Sequence, residues 1–402
     1  MIRVVSYGIK VNKEQDIQLR RIAKGCRYVW NHFLYKQELE YRNYKLLLDW
    51  HIDIGKPKYP SMYKFNTEFT KLRRKKQWLQ SLPCSEVRYT LKYLADAYKQ
   101  FFRGMKGKPK FKKHNSYSSF TIPQLVKIRD GYLNISKLGY VKLERRYAYK
   151  YEEGIAKQVI VKQECGKWYA YVTYEYPEVV NNNEAVIGLD CNIGQVTLSD
   201  GSKYKLPDMS KHVTKFKKKQ RKLSKQIQGS KRWKYTVGCI GKISRKIAKK
   251  RKNWQHQVSN AIAHCYGKVA VEDLRISNMT KSAKGTIDNP GKKVKQKSGL
   301  NREILNTAWS GLLNKLAYKT EVVRVNPRYT SQMCNKCGVI AKDNRKTQSA
   351  FICITCGHRD NADVNASKNI KALGMAHLGV EEKILFPLKR ETPVSLQVSL
   401  GN

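Results

Sequence analysis

Cys334-Asn-Lys-Cys337 and Cys353-Ile-Thr-Cys356 form two matched knuckles separated by 15 residues. Two CxxC pairs at that separation can wrap four thiolates tetrahedrally around one Zn²⁺, each pair presented by a tight turn. Chance rarely gives two matched pairs in one segment, which weighs against the alternative of two reducible or disulfide pairs. His358 adjoins the second knuckle, but four thiolates already complete the shell. Seven residues past Cys356 stands Asp363, in Asn361-Ala-Asp363-Val-Asn-Ala366, within a chain of net charge +49. A zinc ribbon beside a carboxylate in so basic a chain points to chemistry on nucleic acid.

Working outward, the charge sets the partner. The chain has 402 residues, enough for two or three domains, and 80 Lys and Arg stand against 31 Asp and Glu. Such self-repulsion disfavours a compact fold unless a polyanion is bound, so a long stretch of nucleic acid is the expected partner. No apolar run approaches a membrane span, and the start, Met1-Ile-Arg-Val-Val5, lacks the pattern of a signal peptide. Six further cysteines (Cys26, Cys84, Cys165, Cys191, Cys239 and Cys265) are scattered singly among apolar neighbours, as reduced core thiols are. The expected compartment is a prokaryotic cytoplasm, nucleoid-associated when DNA is bound.

Residues 2–11 alternate as one half-buried strand. Asn12 and Gln15 read as a capping box, and Leu19, Ile22, Cys26, Val29, Trp30 and Phe33 follow at helical spacing. Helical pattern runs to about residue 105, with breaks at 55–60 and near Pro83, and closes in the basic turn Phe101–Lys113. Short strands follow at 120–122, 132–135, 140–143, 158–162 and 168–174. Their spacing predicts a small barrel that the N-terminal strand completes, with the helical block inserted into it. Asn181-Asn-Asn-Glu184 reads as a linker. Segment 211–256 holds eighteen Lys or Arg and no acid, split at Gly229-Ser230, and predicts a basic helical hairpin. Residues 281–299 read as a Gly/Lys-rich loop, 301–319 as a helix, 322–325 as a strand, and 373–402 as a tail without clear period.

Two apolar strand runs end in acids: Ala185-Val-Ile-Gly-Leu-Asp190 and Val269-Ala-Val-Glu272. Acids from separate segments converging at one sheet end repel unless divalent cations bind between them, and two Mg²⁺ then support phosphodiester hydrolysis. An Asp after a strand is more often a turn residue or helix cap than a metal ligand. Asp273 competes with Glu272 and Asp360 with Asp363, and the residues alone leave both choices open.

Ile187-Gly-Leu-Asp190-x-x-x-Gly194, Val271-Glu272-Asp-Leu and Ala362-Asp363-x-Asn-Ala366 resemble the three acidic motifs of RuvC-type nucleases. With Tyr329-Thr-Ser-Gln332-x-Cys334-x-x-Cys337-Gly, Cys26-Arg-Tyr-Val-Trp-Asn31, the Phe-Phe-Arg-Gly turn and Leu300-Asn-Arg, the ordered set resembles the TnpB family of transposon-associated, RNA-guided nucleases across nearly the whole chain. Type V CRISPR effectors share the nuclease half. The resemblance implies a multidomain α+β fold: a β-barrel wedge (1–11 and 114–180) with an inserted helical recognition region (12–113), then a RuvC domain. That domain, of ribonuclease-H-like α/β fold, would span 181–329 and 359–372, interrupted by a zinc ribbon (330–358). It also implies an ωRNA guide, and cleavage of target DNA beside a short adjacent motif. Asp190, Glu272 and Asp363 would bind Mg²⁺, and the four cysteines a structural Zn²⁺. Cys191 and Ser367 depart from the usual pattern, and the short join Tyr318-Lys-Thr-Glu-Val suggests a trimmed strand before the ribbon.

The hairpin has no acids to relieve its repulsion, so phosphate contact is expected, with Lys215, Lys218, Arg221, Lys222, Arg245 and Lys249 as candidates. Phe111 suits base stacking or core packing equally, whereas Trp30 and Phe33 suit a helix core. The rival readings are a compact CRISPR effector and a guided repressor that binds without cutting. A monomer is the favoured state.

Overall fold

The computed structural model describes residues 2–52, 60–113, 118–144, 154–177, 183–347 and 349–379. The chain divides into two compact units, Met1–Val179 and Val180–Asn402.

The first unit opens with β1 (Ile2–Lys10) and the 37-residue α1 (Lys13–Asp49). The capping box forms: Asn12 Oδ1 accepts from Gln15 N at 2.7 Å, and Gln15 Oε1 accepts from Asn12 N at 3.2 Å. Then come α2 (Met62–Lys75), α3 (Gln77–Gln80) and α4 (Cys84–Phe102). Leu19, Ile22, Val29 and Phe33 of α1 are buried in one cluster with Phe65 and Phe69 of α2 and Val87, Leu91 and Leu94 of α4. Pro83 starts α4, where a missing N–H costs nothing. The basic turn is tied to α1, because Trp30 Nε1 donates to Lys110 O at 3.0 Å and Asn31 exchanges two bonds with the Lys112 backbone. That gives the Trp30-Asn31 motif a structural role. Phe111 is 47% exposed, so it is not a core residue.

Six strands follow: β2 (Ser119–Ile122), β3 (Ile128–Arg129), β4 (Tyr132–Ile135), β5 (Gly139–Leu143), β6 (Ile155–Glu164) and β7 (Lys167–Glu175). They form a seven-stranded antiparallel sheet in the order β2-β6-β7-β1-β5-β4-β3. β1 sits in the middle, with Val5 opposite Val172 and Ile9 opposite Leu143, so the helical segment is inserted within this sheet. Among the described residues no pairing joins β2 to β3; the hydrogen bonds describe an open sheet where the strand spacing suggests a barrel.

The second unit begins with a meander, β8 (Val186–Asn192), β9 (Gln195–Leu198) and β10 (Lys203–Lys205). The hairpin is α5 (Ser210–Ser224) and α6 (Lys231–Cys265), with Gly229 at φ 87° and Ser230 capping Trp233 N. Next come β11 (Lys268–Glu272), α7 (Ile276–Met279), α8 (Val294–Thr307), α9 (Trp309–Leu316) and β12 (Glu321–Val325). The sheet order is β10-β9-β8-β11-β12, antiparallel through the meander and parallel from β8 to β12. Val269 and Val271 of β11 pack with Trp254, Val258 and Ile262 of α6 and Leu312 and Leu316 of α9. Alternation turns Ala270 to the other face, with Ile370 and Leu373 of the last helix, α10 (Ala362–His377). The ribbon lies between β12 and α10 and contains the hairpin β13 (Ala350–Ile352) and β14 (Arg359–Asn361).

Five further expectations change. Of the six single cysteines only Cys26 is a core residue; Cys84, Cys191 and Cys239 are half-buried, and Cys165 and Cys265 are exposed. α8 starts at Val294, inside the expected loop, and the long late helix breaks at Ala308, whose φ is 54°. Gln255 Nε2 donates to Ala308 O at 2.9 Å and Trp309 Nε1 to Asn192 O at 3.0 Å, so the kink is held from two sides. β12 is not trimmed: it pairs with β11 from Glu321 beside Lys268 to Val325 beside Glu272. α10 runs to His377, past the expected start of the tail, because Leu373, Gly374 and Met375 pack inward. Residues 380–402 and Asn181-Asn182 of the linker lie outside the described residues.

Candidate active site

Asp190 lies near the end of β8, buried at 8% exposure. Leu189 is in register with Val271 of β11, so the next residues, Asp190 and Glu272, leave neighbouring parallel strands on the same side. Asp363 arrives from the first turn of α10, where Asn361 Oδ1 caps the N–H groups of Asp363 and Val364. Helix and sheet meet closely because Gly188 and Gly374 have no side chains. A Cβ on Gly374 would stand 2.3 Å from the Ala270 Cβ.

The electrostatics register this convergence. Burial pushes the Asp190 carboxyl up to about 7, and Glu272 and Asp363 push the same way, against a hydrogen bond from Asn192 Nδ2 at 2.8 Å. Burial also raises Glu272, opposed by the Thr330 hydroxyl, which donates to its Oε1 at 2.5 Å. The competing acids point elsewhere. Asp273 pairs with Arg324 at 3.0 Å on the surface, and Asp360 pairs with Lys368 at 2.7 Å.

Four polar residues at this site escaped the sequence reading. Arg345 Nη2 stands 3.5 Å from Asp363 Oδ1, and Gln195 Nε2 donates to Asp363 Oδ2 at 3.2 Å. Alternation along β8 puts Asn192 on the side of Asp190, and the turn at Ile193-Gly194 sets Gln195 opposite Asn192, a signal available in the sequence. Thr330 belongs to the Tyr329-Thr-Ser-Gln motif, but nothing local gives it a partner 58 residues away. Arg345 sits in a basic ribbon where no pattern singles it out.

The four cysteine sulfurs lie within 4.8 Å of one another, with Cys334–Cys356 at 3.8 Å and Cys337–Cys353 at 3.5 Å. Thiolates around one tetrahedral Zn²⁺ stand about 3.8 Å apart, so the donor set and spacing fit a structural zinc. The knuckles share one build. Gly338 and Gly357, at φ 77° and 69°, turn the chain after each pair and donate to the carbonyls of Cys334 and Cys353. Asn344, fully buried, donates to Gln332 O and Val339 O and accepts from Ile354 N, joining the two knuckles. The ribbon is fastened to α10: Asn365 donates to Met333 O and accepts from Asn335 N, and Asn369 donates to the carbonyls of Thr330 and Met333.

The basic hairpin divides along its length. The C-terminal turns of α6 bury Trp254, Val258 and Ile262, whereas α5 buries no residue. Lys215, Lys218, Arg221, Lys222 and Lys249 are exposed and Arg245 is half-buried. Among the described residues no helix is long and apolar enough to cross a membrane.

Three family models match the chain: a helix-turn-helix domain over residues 1–45, a "Probable transposase" over 169–283, and a Cas12f1-like TNB domain over 309–370. Residues 2–45 form one strand and part of one long helix rather than two helices and a turn. The chain is 34% identical to the "Putative RNA-guided DNA endonuclease InsQ" of Escherichia coli (strain K12), covering 99% of both. It is 29% identical to the "CRISPR-associated endodeoxyribonuclease Cas12f1" of Sulfoacidibacillus thermotolerans, over 54% of this chain and 52% of the relative. The fold is similar to that in a "Cas12f1-sgRNA-target DNA complex" solved by cryo-EM, with TM-score 0.54 and 16% identity over 89% of this chain and 83% of that one. Sequence identity over its full length assigns this chain: it belongs to the TnpB family of RNA-guided DNA endonucleases, related to Cas12f.

Proposed function

We propose that this chain uses an ωRNA-type guide to cleave DNA beside a short target-adjacent motif, with Mg²⁺ held by Asp190, Glu272 and Asp363. The observation that carries the reading is the approach of Glu272 of β11 and Asp363 of α10 to Asp190 of β8, near enough that both push its carboxyl up, though not at the mutual spacing of one ion's ligands; burial raises Asp190 and Glu272 as well. Such a cluster is poorly stable without counter-charge, and its all-oxygen donor set suits a hard cation. Mg²⁺ bound there would activate a water and stabilise the departing 3′ oxygen of a phosphodiester. The chain's own groups do the rest. Asn192 and Thr330 hold the carboxylates of Asp190 and Glu272 in place, and Gln195 holds that of Asp363. Arg345 brings a guanidinium beside Asp363, where it offsets the acids' charge and can donate to a phosphate oxygen.

The five-stranded sheet, a meander followed by two parallel strands, supports the ribonuclease-H-like RuvC reading of the second unit. The antiparallel sheet with its inserted helices supports the wedge and recognition reading of the first. The guide would supply sequence choice by pairing, while the protein grips backbone. In that division the hairpin residues Lys215, Lys218, Arg221, Lys222, Arg245 and Lys249 contact phosphates.

Asp190→Ala tests the site. Cleavage in Mg²⁺ should fall at least about 100-fold while affinity for guide and target stays within about twofold, because this carboxylate holds metal and does not grip backbone. Cutting at the wild-type rate would refute the metal-site reading.

A further inference from the structure

We infer that Thr330 is the positioning residue of the metal site, aiming the Glu272 carboxylate and locking it to the zinc ribbon and α10. This rests on the metal-site reading above and names a residue that nothing in the acidic motifs supplies. Thr330 is 2% exposed, and its hydroxyl has one proton and two acceptors: Glu272 Oε1 at 2.5 Å and Pro327 O at 3.1 Å. The carboxylate takes it, being nearer and charged. That bond fixes one oxygen of Glu272, the acid whose charge also raises the Asp190 carboxyl.

The backbone aims the hydroxyl. Tyr329, just before it, adopts a left-handed φ of 67° that a tyrosine rarely takes. Tyr329 O accepts from Gln332 N at 2.9 Å and Met333 N at 3.0 Å, and the Asn326 side chain accepts from Arg328 N at 3.0 Å. Strain of this kind persists only where the surroundings over-determine it. The carbonyl of Thr330 in turn accepts from Asn369 Nδ2 at 2.9 Å, on the helix that carries Asp363. One residue therefore touches Glu272 through its side chain and α10 through its backbone, within the same turn region that leads into the zinc ligand Cys334. Two of the three acids are held in a frame whose third side is the first knuckle.

The test is direct Mn²⁺ binding by the full-length, zinc-loaded protein, titrated by electron paramagnetic resonance, with Mg²⁺-dependent cleavage by the guide complex beside it. Thr330→Val keeps the shape and loses the hydroxyl; Thr330→Ser keeps the hydroxyl. Losing such a supporting partner typically weakens metal binding about 10–100-fold. Thr330→Val should weaken Mn²⁺ binding by about tenfold or more and raise the Mg²⁺ needed for half-maximal cleavage in step, with zinc content unchanged. Thr330→Ser should stay within about threefold of wild type. If the valine variant loses zinc, Thr330→Ala serves as the hydroxyl-free variant under the same criteria. Wild-type Mn²⁺ affinity in the hydroxyl-free variant, or equal loss in Thr330→Ser, overturns the inference. Asp190→Ala is the reference: if it binds Mn²⁺ as wild type does, the metal-site reading itself has failed, whatever Thr330 does.

Discussion

A Cβ placed on Gly188 would stand 2.0 Å from the carbonyl oxygen of Ser367, so the approach of α10 to β8 requires glycine at this position. That approach sets Asp363 against Asp190. Gly188→Ala has backbone to displace first, with Lys371 N also 2.6 Å from the added carbon. It should destabilise the chain by about 1–3 kcal/mol. Cleavage should fall more than RNA binding does, which paired cleavage and filter-binding assays would resolve. A stable, fully active alanine variant would mean the helix can shift without cost to the site.

Zinc should be part of the fold. The purified protein should hold about one tightly bound zinc per chain. Cys353→Ser should lower that content and lower the melting temperature, because the knuckles fasten α10 through Asn365 and Asn369. Full zinc content in the serine variant, by atomic emission, would remove Cys353 from the ligand set.

Asp190 should cost stability when no divalent cation is present. Its folded carboxyl is raised to about 7 from 3.8, so the folded chain keeps a proton that the unfolded chain has released. That contribution is fully present below about pH 4 and is lost as pH rises through about 7. Asp190→Asn cannot ionise and escapes the loss. In Mg²⁺-free buffer that leaves the zinc in place, at pH 8, it should be more stable than wild type by about 4 kcal/mol, and at pH 4 the difference should vanish. Calorimetric melts at the two pH values check this, and equal stability at pH 8 would mean the carboxylate is better solvated than its burial implies.

These relationships show which parts of the molecule were legible. The cysteines carry their own spacing, and Asp190 and Glu272 end apolar runs, so local pattern nominates them, but choosing Glu272 over Asp273 and Asp363 over Asp360 takes the family resemblance. The basic hairpin was equally plain, since an acid-free run over a Gly-Ser split can do little else. Thr330 and Arg345 depend on contacts 58 and 18 residues away in sequence, which no window of sequence contains. The kink at Ala308 was hidden for the same reason: its fixings, Gln255 and Asn192, lie on other elements. The end of α10 is hidden because residues past 372 show no clear period, while the contacts that hold them, Gly374 against Ala270 and Leu373 beside it, lie on another element.

The hairpin should bind by charge alone. Replacing Lys215, Lys218, Arg221 and Lys222 with alanine should reduce the slope of log affinity against log salt by up to about 4, roughly one for each phosphate that is no longer neutralised. The melting temperature should hardly change, since α5 buries none of these side chains. An unchanged salt slope would return the hairpin to a solvated surface.

Guided cleavage is the central claim, and affinity cannot test it, because a chain of charge +49 binds almost any nucleic acid at low salt. The direct measurement uses two plasmids that differ only in the target beside one adjacent motif, and protein assembled with either matching guide. Each complex should cut its own plasmid in Mg²⁺, with mismatches next to the motif more damaging than distal ones. Equal cutting of both plasmids by both complexes, or specific binding with no cutting, would contradict the account.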